Sequence, residues 1–129
     1  MPDPISPEQL AALGFEPITR WVPYKDSIRL ASIAWSDASG WIYAFVSEGR
    51  IRYVGIATTV LRSRMDGYRH QLNDRVGALI RRNLDLGFDV EVFGIRKPAV
   101  AKEQLEIEET RLINHFGADW NVQKVQRDT

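Results

Sequence analysis

Two short runs of aromatic and β-branched residues dominate the middle of the chain, and a glycine-containing connection separates them. The runs are 41–46 (WIYAFV) and 51–57 (IRYVGIA), and residues 47–50 (SEGR) lie between them. Such runs favour β-strands, and glycine accepts the positive φ that a tight turn requires. The pattern predicts two antiparallel strands joined by a short turn. A hairpin by itself is barely stable in water, so we expect the rest of the chain to pack around it.

Each predicted strand carries a tyrosine, Tyr43 on the first strand and Tyr53 on the second. Side chains alternate between the two faces of a strand, so the number of turn residues decides whether the tyrosines share a face. An odd number, such as the three residues 48–50, places them on the same face, and an even number separates them. Taken alone, a strand tyrosine is usually a half-buried core residue, and this alternative stays open.

Composition and charge restrict the class of protein. The 129 residues include 17 Lys and Arg and 17 Asp and Glu, so any nucleic-acid binding must come from a local patch. The length suits one globular domain. The absence of cysteine excludes disulfides, cysteine-ligated zinc and a thiol nucleophile. No secretion signal and no membrane-spanning apolar run is present, so we expect a cytoplasmic protein without a membrane partner.

Before the hairpin, the chain carries signals for one helix and one or two strands. Ser6 and Pro7 predict the start of a short helix, and residues 18–22 predict a strand that ends at Pro23. Residues 27–35 fit a strand, and they fit a helical turn almost as well. We therefore expect this N-terminal part to pack on the hairpin, with an extension of the sheet as one possibility.

After the hairpin, apolar residues recur at helical spacing. Residues 58–59 (two threonines) predict a helix start, and Leu61, Met65 and Tyr68 lie on one stripe of that helix. Arg64 lies at the edge of the stripe, beside the buried face. A lone arginine there is more often a surface residue.

Three further elements follow in the second half of the chain. The pattern predicts a second helix from about 73 to 87, a strand over 88–93, and a long helix over about 99–116. Together with the hairpin they predict an α/β (α+β) domain whose small, mainly antiparallel sheet is flanked by helices.

The chain is divided into three parts on this basis. Residues 1–39 form an N-terminal extension packed on the domain, residues 40–123 form the main domain, and residues 124–129 form a tail.

The last helix carries a charge where an apolar residue is expected. Its apolar stripe includes Leu105 and Ile113, and Glu109 lies midway between them, four residues from each. Burial of an unpaired charge is costly, so such a carboxylate usually has a cation, a metal ion or hydrogen-bond donors beside it. Two explanations fit the stripe equally well. Glu109 forms an ion pair with an arginine, or it belongs to a functional site. The neighbouring glutamates, including Glu106, are predicted to face solvent.

The order and spacing of these features resemble the GIY-YIG nuclease superfamily over about residues 40–122. The residues that carry the resemblance are WIY at 41–43, YVG at 53–55, Arg64, Glu109 and Asn121. The local forms R-M-x-x-Y and E-x-x-L-I are most similar to the N-terminal incision domain of the bacterial excision-repair nuclease. The resemblance implies the mixed fold described above and an endonuclease that cuts phosphodiester bonds with one divalent metal ion, Mg²⁺ or Mn²⁺.

The resemblance also implies roles for individual side chains. Glu109 would ligate the metal ion, and Arg64 would hold the phosphate and offset the charge of the transition state. Tyr43 would position or deprotonate the attacking water, and Tyr53 would orient the water or Tyr43 by hydrogen bonding. To act as a base, Tyr43 would need neighbouring cations, because a free phenol has a pKa of about 10.

Two further positions complete the implied site. Tyr68 takes the place of a histidine found in other members of the superfamily, and Asn121 would brace the site.

A nucleic-acid partner follows from the same resemblance. We expect it to be DNA, although RNA fits the same chemistry. Candidate phosphate-binding residues are Arg64, Arg69, His70, Arg75 and Lys102. A dimer would suit cleavage of both strands of a duplex, and the sequence leaves the oligomeric state open.

Two alternatives to an endonuclease stay open, one from a departure from the superfamily motif and one from the tryptophans. Trp41 stands at the first glycine of the motif, and Ile56 stands where a basic residue often follows the second motif. Without that cation Tyr43 is harder to activate, so one alternative is a nucleic-acid-binding module on the same scaffold with weak or lost catalysis. The other is a protein-interaction domain with Trp21, Trp35 and Trp41 as exposed anchors.

Overall fold

The computed structural model describes residues 5–32, 39–70 and 75–121. In this part of the chain a five-stranded antiparallel sheet is flanked by four helices, which confirms the predicted α+β class. The elements are α1 (Pro7–Ala12), β1 (Glu16–Tyr24), β2 (Ser27–Leu30), β3 (Ser39–Ser47), β4 (Arg50–Val60), α2 (Leu61–His70), α3 (Arg75–Asp85), β5 (Val90–Arg96) and α4 (Lys102–Phe116). The strand order is β2-β1-β5-β3-β4, so β4 forms one edge of the sheet.

The N-terminal segment is part of this sheet. The side chain of Ser6 accepts a hydrogen bond from the backbone N–H of Gln9, whose side chain bonds back to Ser6, so α1 begins with a capping box as the sequence indicates. β1 pairs with β5, and β2 pairs with β1. The strand does not end at Pro23 as predicted, because Pro23 and Tyr24 continue the pairing with β2. The division of the chain at residue 39 stays a prediction.

The β3–β4 hairpin is confirmed, and its turn has the even number of residues that was one of the two open alternatives. Only two residues, Glu48 and Gly49, separate the paired positions, and both have positive φ (57° and 73°). An even turn by itself would place Tyr43 and Tyr53 on opposite faces. The number of turn residues does not by itself decide which face Tyr53 shares.

A β-bulge restores the shared face. Val46 pairs with Ile51, and Phe45 pairs with Tyr53, so Arg52 is an extra residue with no partner on β3. Tyr53 consequently points to the face that carries Tyr43, and the two ring centroids lie 6.3 Å apart.

Helices cover both faces of the sheet. On one face, α2 and α3 pack on a core that includes Trp21, Tyr43 and Phe45. On the other face, α1 and α4 pack on a core that includes Ile42 and Phe93. The described helices include none that is long and apolar enough to span a bilayer.

Two boundaries after the hairpin differ from the predicted ones. Thr58 and Thr59 do not cap a helix, because β4 continues to pair with β3 as far as Val60. Phe88 is not in a strand and is 41% exposed, since its N–H bonds to the carbonyl of Asn83 at the end of α3.

The last helix also begins later than expected. α4 starts at Lys102 rather than near Ala99, where φ is +63° and therefore not helical. Its predicted end is confirmed, because Gly117 adopts the left-handed conformation that caps α4.

The tryptophans bear on the protein-interaction hypothesis. Trp21 is 1% exposed and Trp41 is 8% exposed, so neither is the exposed anchor which that hypothesis requires. Trp35 lies outside the described residues.

Candidate functional site

Tyr43 lies at the centre of a chain of hydrogen bonds between strands and helix α2. Its ring is fully buried, and its hydroxyl accepts a hydrogen bond of 3.1 Å from Nε of Arg64. The hydroxyls of Tyr43 and Tyr68 lie 2.6 Å apart, and Tyr68 donates to Tyr53 over 3.2 Å. Because a hydroxyl has one proton to donate, Tyr43 donates to Tyr68 in this arrangement. The hydrogen bonds therefore run from Arg64 through the tyrosines Tyr43 and Tyr68 to Tyr53.

The protonation of this cluster follows from its burial. Desolvation raises the pKa of Tyr43 well above its usual value, and the nearby Tyr53 raises it further, against the lowering effect of Arg64 and of the Tyr68 hydrogen bond. Desolvation also raises the pKa of Tyr68. The pKa of Arg64 is raised, with Tyr43 as the largest cause. At neutral pH both hydroxyls are therefore protonated and the guanidinium is charged.

A cleft of about 770 Å³ opens beside this cluster. Its walls come from β4, α2, the start of α3, α4 and the turn after α4. The predicted site residues that line it are Tyr53, Arg64, Tyr68, Arg75, Lys102, Glu109 and Asn121. Tyr43 does not line the cleft. It is buried behind Arg64 and Tyr68, which do line it, and its hydroxyl is hydrogen-bonded to both.

Glu109 lies on the inner side of α4. It is 6% exposed and lies between the buried residues Leu105 and Ile113, as the helical stripe predicted. Its carboxylate reaches the wall of the cleft because α4 packs against the edge strand β4. A carboxylate in such a place is a candidate metal ligand.

Asn121 completes the edge of the sheet next to Tyr53. Its Oδ1 accepts from the N–H of Val54 over 2.8 Å, and its Nδ2 donates to the carbonyl of Val54 over 2.9 Å. The side-chain amide thereby pairs with β4 as a neighbouring strand would. Asn121 thus holds β4 in place at the cleft.

The predicted phosphate-binding residues are only partly brought together. Arg64, Arg75 and Lys102 line the cleft. Arg75 also donates from its guanidinium to the carbonyls of Trp120 (2.8 Å) and Asp119 (3.5 Å), so it anchors the turn after α4. The side chains of Arg69 and His70 lie outside what the structure describes.

Sequence analysis missed some residues of the cleft. Glu106 lines the wall, although it was predicted to face solvent. Its position three residues before Glu109, on the same side of the helix, was the available signal. Thr58, Thr59 and Ser63 also line the cleft, and no local pattern marks them.

The cleft offers a metal ion few protein ligands. Among the residues that the structure describes, no three His, Asp or Glu side chains gather as a ligand set. Mg²⁺ keeps several waters and often uses only one or two protein carboxylates. A single buried carboxylate on an open cleft, as Glu109 provides, fits such an ion.

Comparison with solved structures identifies the architecture. Bacteriophage T4 EndoII, solved as a mutant, superposes with a TM-score of 0.70 at 24% sequence identity, over 88% of this chain and 96% of that chain. The chain has a GIY-YIG nuclease-type fold. Restriction endonuclease HPY188I, solved in complex with product DNA, superposes on this chain with a TM-score of 0.54 at 17% sequence identity, over 74% of this chain and 63% of that chain. No family model and no curated protein matches the sequence.

Proposed function

We propose that this protein is a metal-dependent endonuclease that hydrolyses phosphodiester bonds of DNA. The observation that carries the proposal is the cleft that collects Tyr53, Arg64, Glu109 and Asn121, with the hydroxyl of Tyr43 directly behind it. Two solved structures with the same fold, T4 EndoII and restriction endonuclease HPY188I, are endonucleases, and the second was solved with product DNA. Both facts support the reaction class, and the order of the motif residues supports their roles.

Arg64 is the proposed phosphate-binding group. Its Nε bonds to Tyr43, which fixes the plane of the guanidinium while the side chain lines the cleft. A planar guanidinium binds two phosphate oxygens at once and retains its charge throughout the reaction. In this orientation it offsets the negative charge that develops on the scissile phosphate.

Tyr43 is the proposed group that positions or deprotonates the attacking water. Its raised pKa keeps the proton on the hydroxyl in the resting protein, so it acts there as a hydrogen-bond donor. To act as a base, Tyr43 first passes this proton through Tyr68 and Tyr53 to the solvent in the cleft. Arg64 and Tyr68 then donate hydrogen bonds to the phenolate that remains, and the phenolate takes up the proton of the attacking water. Tyr53, at the end of the chain of hydroxyls, orients the water in the cleft.

Glu109 is the proposed ligand of the divalent ion, Mg²⁺ or Mn²⁺. The ion, when bound, would polarise the phosphate and stabilise the leaving oxygen. Lys102 and Arg75 on the rim bind phosphates next to the scissile one.

Cleavage of labelled single-stranded and duplex DNA tests the proposal. We expect cutting with Mg²⁺ or Mn²⁺, none with a chelator, and a rate in Glu109→Gln lower by about 1000-fold. Glu103→Gln is the matched control, because Glu103 is exposed on the same helix, and it should cut at the wild-type rate. A wild-type protein that leaves all nucleic acids intact rejects the proposal, and full activity in Glu109→Gln rejects the metal ligand.

A second candidate function is nucleic-acid binding without catalysis. Ile56 lines the cleft at the position where the superfamily often has a cation, and burial holds the proton on Tyr43. This candidate predicts DNA binding that weakens steeply with salt and no metal-dependent cutting. Fluorescence anisotropy at several salt concentrations, measured beside the cleavage assay, separates the two functions.

A further inference from the structure

Arg52 occupies the bulge that decides where Tyr53 points. If β4 had no extra residue, the pairing of Val46 with Ile51 would continue and Tyr53 would lie opposite Ala44, on the other face of the sheet. With the bulge, the ring of Tyr53 stacks on Phe45 at 5.4 Å and its hydroxyl receives the hydrogen bond from Tyr68. The bulge is therefore a condition for the tyrosine cluster.

The side chain of Arg52 connects two segments that flank the bulge. One terminal nitrogen lies 2.6 Å from the carboxylate of Glu48 in the hairpin turn, and the other lies 2.8 Å from the carboxylate of Asp119 after α4. Only 16% of the Arg52 side chain is exposed. Glu48 has the positive φ of the two-residue turn, so this ion pair joins the turn to the bulge.

The backbone of Arg52 strengthens the same connection. Its carbonyl accepts a hydrogen bond of 2.8 Å from the N–H of Trp120. The next residue, Asn121, pairs through its side chain with Val54. Side chain and backbone of one residue thus hold the turn, the bulge and the segment that carries Asn121.

We propose that Arg52 is a positioning residue for the reaction, which places Tyr53 and Asn121 at the cleft without contacting the substrate. This inference rests on the proposed endonuclease function. The planar guanidinium reaches two carboxylates in different directions, which one lysine ammonium cannot reproduce. Charge alone at position 52 is therefore insufficient.

Steady-state cleavage kinetics of Arg52→Ala, Arg52→Lys and Arg50→Ala test the inference. Small displacements of catalytic groups reduce rates strongly, so we expect kcat of Arg52→Ala to fall by about 100-fold while KM changes by less than about threefold. Arg52→Lys should recover part of this loss. Arg50→Ala removes an arginine two residues away on the same strand, and its kcat should stay within about twofold of wild type. A kcat of Arg52→Ala within about twofold of wild type overturns the inference.

Amide hydrogen exchange provides a measurement that does not need activity. In Arg52→Ala the N–H groups of Val54 and Trp120 should exchange at least about tenfold faster, because both bonds depend on the anchored segment. Unchanged exchange at both overturns the inference. If wild-type protein does not cut DNA, the proposed function fails, and the exchange rates still decide whether Arg52 positions these residues.

A milder variant covers the case in which Arg52→Ala does not fold. The carboxylate side chain of Asp119 is 55% exposed, so Asp119→Ala removes one arm of the contact with little loss of burial. It should lower kcat and speed the exchange of Trp120 in the same direction. Wild-type values for both would overturn the inference.

Discussion

The hydroxyl oxygens of Tyr43 and Tyr68 lie 2.6 Å apart, although the residues are 25 positions apart on β3 and α2. Both side chains are buried, and Arg64 bonds to the first while Tyr53 accepts from the second. A short hydrogen bond between buried groups in a low-dielectric surrounding is stronger than the same bond in water. The pair therefore links the buried Tyr43 to Arg64 and Tyr53, which line the cleft.

Tyr43→Phe should reduce DNA cleavage by about 100-fold to 10,000-fold, the usual contribution of a positioned acid or base. The ring is retained, so the core is filled, but Arg64 and Tyr68 lose a shared partner. The measurement is the single-turnover cleavage rate at saturating metal ion. Tyr24→Phe, on an exposed tyrosine, is the control. A Tyr43→Phe rate equal to that of wild type would show that the hydroxyl of Tyr43 takes no part in cleavage.

Alkaline pH should destabilise the folded protein through Tyr43 and Tyr68. Both have a pKa above 10 in the folded protein, whereas an unfolded tyrosine loses its proton near pH 10. Their contribution to the free energy of unfolding is therefore constant well below pH 10. It falls above that pH by up to about 1.4 kcal/mol per pH unit for each residue.

Urea unfolding at about pH 8 and about pH 11 measures this effect. The double variant with Tyr43→Phe and Tyr68→Phe should lose less stability between the two conditions than wild type does. Equal losses would show that these two hydroxyls titrate alike in the folded and unfolded protein.

Gly55→Ala should displace Tyr43. A Cβ at position 55 would overlap the ring carbon Cζ and the hydroxyl of Tyr43, since Gly55 is its direct partner across the hairpin. Overpacking of this kind destabilises by about 1–3 kcal/mol, and the shifted hydroxyl would lose its bond to Arg64. The free energy of unfolding, measured by chemical denaturation, and the cleavage rate should both be lower than in wild type. An unchanged cleavage rate would show that the hydroxyl position is not needed.

Gly67→Ala is the matched comparison and should have the opposite effect on stability. Position 67 lies inside α2, and a Cβ there meets no atom within 4 Å. Alanine favours a helix interior by about 1 kcal/mol over glycine, so the free energy of unfolding should rise by about that amount. Denaturant titration measures it, and a loss of stability would contradict the open space beside α2.

Asn121→Ala should destabilise the edge of the sheet beside the cleft. It removes both partners of Val54, and a buried backbone group without a partner costs about 1–3 kcal/mol. Asn121→Asp should also destabilise, because a carboxylate accepts from the N–H of Val54 but does not donate to its carbonyl. Thermal unfolding of wild type, Asn121→Ala and Asn121→Asp measures both losses of stability. An Ala variant as stable as wild type would show that water replaces the amide.

The features that sequence analysis predicted correctly depend on neighbours along the chain. Ser6 caps α1 through Gln9, and Gly117 ends α4, because each needs only residues within one helical turn. The burial of Glu109 follows from helical periodicity in the same way. Thr58 and Thr59 were misassigned because pairing with β3, a contact over about 20 residues, overrides a local capping signal.

The sequence alone determined which residues form the hairpin, which face of the last helix is buried and which side chains are available for chemistry. Local propensity and the alternation of apolar residues are sufficient for those features. The tertiary structure alone decided that Tyr43 and Tyr53 share a face, because this depends on the bulge at Arg52, which appears only when β4 pairs with β3. It also decided that Asn121 pairs with Val54, since two residues 67 positions apart meet only when the chain folds.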